Sequence, residues 1–190
     1  MTLLQKALRR FSIKDLVIIA AMAALGLAVK AVVTPIIHLA SAPLFIPGGA
    51  LAGGLYMMWL VTAAGITGRR GAATLAGLVQ AIIVIITGLG GSHGAFSLVS
   101  YTLPGLIIDL WLLISRHRAC CLPCTFISCT LANIAGTAAV NMVFFRLPAI
   151  PLLLSLAASA FSGGLGGVLS WHLLRALKKF DIIHEKKRIE

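Results

Sequence analysis

Almost all fixed charges of this 190-residue chain lie at the ends of long apolar runs. No Asp, Glu, Lys or Arg occurs in four stretches, which are residues 31–68, 71–108, 119–145 and 147–174. A helix that crosses the ~30 Å hydrocarbon core of a bilayer needs about 20 mostly apolar residues, so each stretch has room for one or two spans. The sequence therefore predicts a polytopic membrane protein whose function is carried out in or across a bilayer.

Composition supports a membrane protein over a soluble one. Charged residues make up 11% of the chain and hydrophobic residues 59%, whereas roughly 25% of the residues in an average soluble domain are charged. The length suits about six spans and leaves no room for a soluble ATPase or catalytic domain. The net charge of +11 does not indicate nucleic-acid binding, because the basic residues flank the spans, where they set topology and meet anionic headgroups.

Hydropathy and turn-forming residues together predict six spans. These cover about residues 14–34, 44–66, 72–87, 96–115, 123–145 and 151–174. Pro35, Pro47 and the Gly-rich stretch 88–94 are expected in the connections between them. The predicted fold class is an all-α integral membrane protein with six transmembrane helices.

Basic residues mark one side of the predicted bundle. Four lie in the N-terminal segment, two after the second span, two after the fourth and six in the C-terminal tail, whereas only Lys30 and Arg146 fall on the other side. Cytoplasmic segments carry the excess of Lys and Arg, so we expect both termini in the cytoplasm. Residues 1–14 form the basic amphipathic N-terminus, 15–175 the transmembrane domain and 176–190 the basic tail of a protein expected in a bacterial-type cell membrane.

Residues that could carry out catalysis are sparse. Asp109 is the only acidic residue between residues 16 and 174, near the inner end of its span, where a pair with Arg116 is expected. We recognise neither a nucleophile with an oriented base nor two intramembrane carboxylates, so no enzymatic activity, catalytic residue or cofactor is expected. Cys121 and Cys124 have C-x-x-C spacing, but no second motif completes a metal site, and reduced thiols are the simpler interpretation.

Uncharged polar residues cluster towards the predicted outer face. Three of them recur every four residues in the fifth span and share one helix face. Such a stripe either bonds neighbouring helices or lines a ligand cavity, and the sequence alone leaves both open. Together with residues at the start of the fourth span and in the Gly-rich loop, they predict a small-molecule pocket that opens outwards. The candidate substrate-binding residues are His93, Ser97, Tyr101, Asn133, Thr137 and Asn141.

A second stripe of small residues lies in the first span. Ala20, Ala24 and Ala28 recur every four residues. Small residues at this spacing let another helix approach closely. They serve either internal packing or the docking of a separate protein.

The six-span layout, the basic cytoplasmic ends and the Ala-x-x-x-Ala first helix resemble the substrate-binding S component of an energy-coupling factor (ECF) transporter. These transporters are ABC-type importers of vitamins and related micronutrients. The segment Ser-Ile-Lys-Asp-Leu-Val-Ile-Ile-Ala-Ala-Met-Ala-Ala-Leu-Gly at residues 12–26 is similar to the start of many such subunits.

The resemblance implies that the chain binds substrate from outside and delivers it through a transmembrane coupling subunit driven by two ATPases. It implies that Ala20, Ala24 and Ala28 contact the coupling subunit, and that the pocket is built in the outer half by the last three helices and the outer loops. In this family the metal-binding branch depends on a histidine near a processed N-terminus. Residues 1–4 lack one, so nickel or cobalt is not expected as substrate.

Aromatic and amide side chains suggest a flat heterocyclic substrate. Trp59, Tyr101 or Trp111 would stack on it, and Asn133 and Asn141 would hydrogen-bond to it. This combination favours thiamine or its hydroxymethylpyrimidine precursor, with cobalamin, queuosine-like bases and other vitamins still open. The alternative is a small integral membrane protein that scaffolds or regulates other membrane subunits and has no ligand of its own.

Overall fold

The computed structural model describes residues 11–41, 48–88, 94–116, 119 and 121–179. In these ranges the chain forms six α-helices and no strand. They are α1 (Ile13–Ser41), α2 (Gly48–Thr67), α3 (Ala72–Thr87), α4 (Ser97–Ile114), α5 (Leu122–Val140) and α6 (Ala149–Lys179). A 3-10 turn at Gly94–Phe96 precedes α4, and a π-helical turn at Asn141–Phe145 extends α5.

Five of the six helices are long and apolar enough to cross a membrane, and α3 is a shorter apolar helix of 16 residues. At 1.5 Å per residue α3 is about 24 Å long. Gly71 and Gly88 flank α3, and both have a positive φ. This left-handed conformation ends the helix and is disfavoured for residues with a side chain. The predicted all-α membrane fold with six helices is confirmed.

The first helix is longer than the predicted first span. Pro35 was expected in a connection, but it lies inside α1, which continues to Ser41. Proline is tolerated within a membrane helix when neighbouring groups satisfy the freed backbone carbonyl. Gly48 and Gly49 form the first turn of α2, which begins four residues after the predicted start of the second span. As a result Lys30 lies well inside α1 and not near its end. Pro47 lies outside the described residues.

Small residues let α6 pack closely against α2. A Cβ atom at Gly54 would overlap the carbonyl oxygen of Ser162, and one at Gly166 would overlap the carbonyl oxygen of Gly54. The backbone N–H of Gly54 donates to Ser162 Oγ at 3.1 Å, and the hydroxyls of Thr62 and Ser170 lie 3.0 Å apart. Close backbone approach and interhelical hydrogen bonds replace the hydrophobic effect as the cause of helix association in a bilayer.

Two aspartates form polar contacts between helices at the end of the bundle where α1 begins. The carboxylate of Asp109 accepts hydrogen bonds from the backbone N–H and the hydroxyl of Thr74, at 2.8 and 2.6 Å. A negative charge is favourable there, because Thr74 lies in the first turn of α3. Arg116 makes no ion pair with Asp109 among the described residues, so the predicted pair is wrong. Asp15 pairs with Arg69 at 3.4 Å, which ties the start of α1 to the α2–α3 turn.

Candidate functional site

A cavity of about 560 Å³ lies between α1, α2, α3, α4 and α5. This volume falls within the range of small-molecule sites, roughly 300–1,000 Å³. Its walls come from the second halves of α1, α3 and α5 and from the first halves of α2 and α4. The cavity therefore lies in the half of the bundle remote from the start of α1. Its polar lining residues are Lys30, Thr34, Tyr56, Gln80, Ser100, Tyr101, Asn133, Thr137 and Asn141.

The cavity differs in one respect from the arrangement that the resemblance implied. No described residue of α6 belongs to its lining, although the last three helices were expected to build the pocket. The cause lies in the packing of α6, whose glycines face α2 on one side and α5 on the other. A Cβ atom at Gly167, for example, would lie 2.5 Å from the Cα atom of Phe126 on α5.

Four of the six candidate binding residues lie on the cavity wall. Tyr101 contributes from α4, and Asn133, Thr137 and Asn141 contribute from one face of α5 and its π-helical extension. Ser97 is buried beside the cavity and not in its lining, but its carbonyl oxygen accepts a hydrogen bond from Ser100 Oγ at 3.4 Å. His93, the sixth candidate, lies outside the described residues.

Asn133 joins helices as well as lining the cavity. Its side-chain nitrogen donates to the carbonyl oxygen of Ala50 on α2 at 3.3 Å and to that of Ser159 on α6 at 2.8 Å. An amide nitrogen carries two hydrogens, so both are used within the fold. The two interpretations of the polar stripe that the sequence left open therefore both apply to this residue.

Asn141 uses only one end of its amide within the fold. Its side-chain oxygen accepts a hydrogen bond from the backbone N–H of Leu147 at 3.1 Å, in the connection that leads to α6. Its side-chain nitrogen is buried and has no hydrogen-bond partner in the described part of the chain. A buried donor left unpaired costs about 1–3 kcal/mol. This nitrogen is therefore a donor available to a ligand, on a π-helical turn of the kind often found at functional sites.

Lys30 lines the cavity and was not among the candidate binding residues predicted from the sequence. Its ammonium group donates a hydrogen bond to the hydroxyl of Tyr101. It also lies 4.2 Å from the centre of the Tyr101 ring and 5.7 Å from that of Tyr56. In the sequence, Lys30 served only as a marker of topology. The available signal was its isolation, since no other Asp, Glu, Lys or Arg occurs between Asp15 and Arg69, and an ionisable residue within a span indicates a functional site.

Of the three aromatic residues expected to stack on the substrate, Tyr101 lines the described cavity, together with Tyr56. Trp59 and Trp111 do not belong to its described lining. Trp59 packs against α1, where a Cβ atom at Gly26 would lie 3.4 Å from the Trp59 Cβ atom, and Trp111 packs against the hydrophobic core. The expected stacking by either tryptophan is therefore wrong for the described cavity.

The alanine stripe of α1 faces away from the bundle. Ala20, Ala24 and Ala28 are exposed, whereas Ala23 and Gly26 between them are buried. Internal packing, one of the two alternatives for the stripe, is therefore excluded for these three residues. They form a narrow face of small side chains that a second helix can approach closely.

Residues 14–135 match the sequence profile of the family described as "ABC-type cobalt transport system, permease component". The chain belongs to this family. The chain is thus a multi-pass protein of the cell membrane that takes part in transport, and it is not an enzyme.

The fold of the chain is that of an S component. Its structure is similar to one described as "Crystal structure of an S-component of ECF transporter", with a TM-score of 0.77. The similarity covers 91% of this chain and 88% of the other, at 20% sequence identity. At that identity the likeness shows the fold, which is the one that the resemblance at residues 12–26 predicted. No curated protein matches the sequence.

Proposed function

We propose that this protein is the substrate-capture subunit of an ECF-type ABC importer. It binds a small molecule in the cavity formed by the helices α1 to α5. It then passes the molecule on through a transmembrane coupling subunit and two ABC ATPases. The observation that carries the proposal is the cavity of about 560 Å³, which has mixed polar and aromatic walls and lies within an S-component fold. A scaffold without a ligand has no need of such a cavity.

The positions of the basic residues support capture from the outside. Lys14, Arg69, Arg70, Arg116 and Arg175 all lie at the end of the bundle where α1 begins. The cavity lies in the opposite half. Because cytoplasmic segments of membrane proteins are rich in Lys and Arg, this arrangement supports cytoplasmic termini and a cavity towards the outside.

The lining of the cavity supports an organic substrate. Protein sites for cobalt and similar metals use imidazole, thiolate or carboxylate ligands. The described lining contains none of these groups and carries one ammonium group, that of Lys30, which repels a metal cation. Cobalt is the second candidate, because the description of the family names it.

The charge of Lys30 also bears on the choice between thiamine and its precursor. Thiamine carries a permanent positive charge on its thiazolium ring, and the Lys30 ammonium disfavours it. The hydroxymethylpyrimidine precursor has no such charge. A flat ring of this kind suits the faces of Tyr56 and Tyr101 and the amide of Asn141.

A thermal-shift and calorimetric screen of the purified protein tests this function. The panel contains hydroxymethylpyrimidine, thiamine, cobalamin, other vitamins and Co²⁺. We expect an organic compound to raise the melting temperature and to bind with a Kd in the micromolar range or below, and Co²⁺ to do neither. Binding of Co²⁺ in preference to every organic compound would contradict the substrate class. A panel without any hit, and no ATPase subunit co-purifying, would support the scaffold alternative.

A filled cavity supplies the matched control. Thr137 lines the cavity, whereas Met142 on the same helical element is exposed. Thr137→Phe should abolish the thermal shift caused by the hit, and Met142→Phe should preserve it. Equal shifts in both variants would place the ligand outside this cavity.

A further inference from the structure

Two side chains on the cavity wall carry N–H groups that donate to no acceptor among the described residues. An ammonium group has three hydrogens to donate, and Lys30 donates one to the Tyr101 hydroxyl. The side-chain nitrogen of Asn141 is buried, and the described residues provide no acceptor for it. The residue itself is only 4% exposed. Lys30 and Asn141 come from different helical elements and line the same cavity.

The charge of Lys30 is not balanced within the described part of the chain. The acidic residues described there are Asp15 and Asp109. Asp15 pairs with Arg69, and Asp109 accepts hydrogen bonds from Thr74. Both aspartates lie at the end of the bundle remote from the cavity. The cavity therefore has a net positive charge in a region where charge is costly and is kept mainly at functional positions.

We propose that the captured substrate carries an oxyanion, a carboxylate or a phosphate, which accepts hydrogen bonds from Lys30 Nζ and Asn141 Nδ2. This inference rests on the proposed function and adds the charge of the ligand to it, so that a flat heterocycle with a carboxylate or phosphate group is favoured over the uncharged hydroxymethylpyrimidine. An oxyanion satisfies both donors and neutralises the ammonium group, and charge-assisted hydrogen bonds of this type are stronger than neutral ones. An uncharged ligand leaves the cavity with its positive charge, and a cationic ligand adds to it.

The rings of Tyr56 and Tyr101 complete the proposed subsite. They hold the Lys30 ammonium at 5.7 and 4.2 Å from their centres, which keeps the cation on the wall. Aromatic faces attract a cation and repel an anion placed over them. The oxyanion is therefore directed to the ammonium and the Asn141 amide, while the uncharged remainder of the ligand packs on the rings.

Matched pairs of compounds test the proposal on the wild-type protein. Each pair differs in the anionic group: nicotinate and nicotinamide, pantothenate and pantothenol, and pyridoxine 5′-phosphate and pyridoxine. Isothermal titration in detergent should show at least one anionic member bound tenfold or more tightly than its uncharged partner. The first two pairs report a carboxylate and the third a phosphate. Equal or tighter binding of the uncharged members would overturn the proposal.

Variants of Lys30 assign the effect to this residue. Lys30→Met should weaken the binding of the anionic member at least tenfold and change that of its uncharged partner less than twofold. Lys30→Arg, which keeps the charge, should retain most of the affinity. An unchanged preference for the anion in Lys30→Met would contradict the assignment. If Lys30→Met does not fold, the wild-type pairs together with Lys30→Arg decide the question.

The outcomes also separate this inference from the proposed function. Binding of uncharged or cationic organic compounds alone would leave substrate capture intact and overturn the oxyanion. If no member of any pair binds at millimolar concentration, the oxyanion proposal fails for both ligand classes. The broader vitamin panel then decides independently whether the cavity captures organic molecules.

Discussion

The Lys30 ammonium on α1 donates a hydrogen bond to the Tyr101 hydroxyl on α4, across 71 positions of sequence. A lysine in a membrane helix usually extends its side chain towards the interface, where water solvates the charge. Here the tyrosine hydroxyl and two aromatic rings hold the ammonium on the cavity wall. The contact joins the first and fourth helices and places the ammonium group on the wall of the cavity.

The two asparagines of the polar stripe should respond differently to substitution. Asn133→Ala removes two hydrogen bonds to backbone carbonyls and should reduce the stability of the ligand-free protein by about 1–3 kcal/mol. Asn141→Asp keeps the acceptor for Leu147 N–H but removes the free donor, so it should mainly reduce affinity, by about tenfold. Thermal unfolding and titration with the same ligand measure both effects. The account fails if Asn141→Asp binds an anionic ligand as tightly as the wild type does.

Substitutions at two neighbouring alanines of α1 test whether the exposed stripe of Ala20, Ala24 and Ala28 docks a partner. Ala24→Leu adds bulk to the exposed stripe and should block uptake, while binding to the isolated protein stays within twofold. Ala23→Leu adds the same bulk at a fully buried position, so it should destabilise the protein by about 1–3 kcal/mol through overpacking. Measurements of substrate uptake in cells, and of ligand affinity and thermal stability of the purified variants, distinguish these two effects. Normal uptake by the Ala24→Leu variant would contradict a docking role.

Asp109 should matter for stability and not for ligand binding. Asp109→Asn weakens the charge-assisted bonds to Thr74 and the interaction with the start of α3, and should cost about 1–3 kcal/mol. Because the cavity lies in the other half of the bundle, affinity should change less than twofold. A double-mutant cycle with Thr74→Ala should be non-additive. Additive losses would show that the two residues act independently.

Topology can be tested by cysteine labelling in a cysteine-free background. A thiol introduced at Ala95, exposed at the cavity end of the bundle, should react with a membrane-impermeant reagent in intact cells. A thiol introduced at Arg70, exposed in the α2–α3 turn, should react only after permeabilisation. The reverse pattern would show that both termini face outwards and that the cavity opens to the cytoplasm.

The helices could be predicted from the sequence because apolar length and turn residues are local properties. The bounds of α3 were predicted correctly, since Gly71 and Gly88 permit the backbone conformations that end a helix. The end of α1 was predicted wrongly, because Pro35 was treated as a helix breaker, whereas a proline within a membrane helix need not end it.

Residues of the site could be predicted only where polar side chains recur on one face of a helix. The four-residue spacing of Asn133, Thr137 and Asn141 placed all three on one face of α5, and that face lines the cavity. Apolar residues surround the tyrosine and tryptophan of α2, so the sequence could not show that Tyr56 faces the cavity and Trp59 does not. Lys30 was missed because charge counting along the chain does not show where a long side chain ends.

Equilibrium binding of the tightest organic ligand to the purified protein, reconstituted without any coupling subunit or ATPase, tests substrate capture most directly. We predict one binding site per chain with a Kd in the micromolar range or below. Ala24→Leu should retain this binding, and Thr137→Phe, which fills the cavity, should lose it. Binding that requires the ATPase subunits, or that persists in Thr137→Phe, would contradict the claim that this cavity captures the substrate.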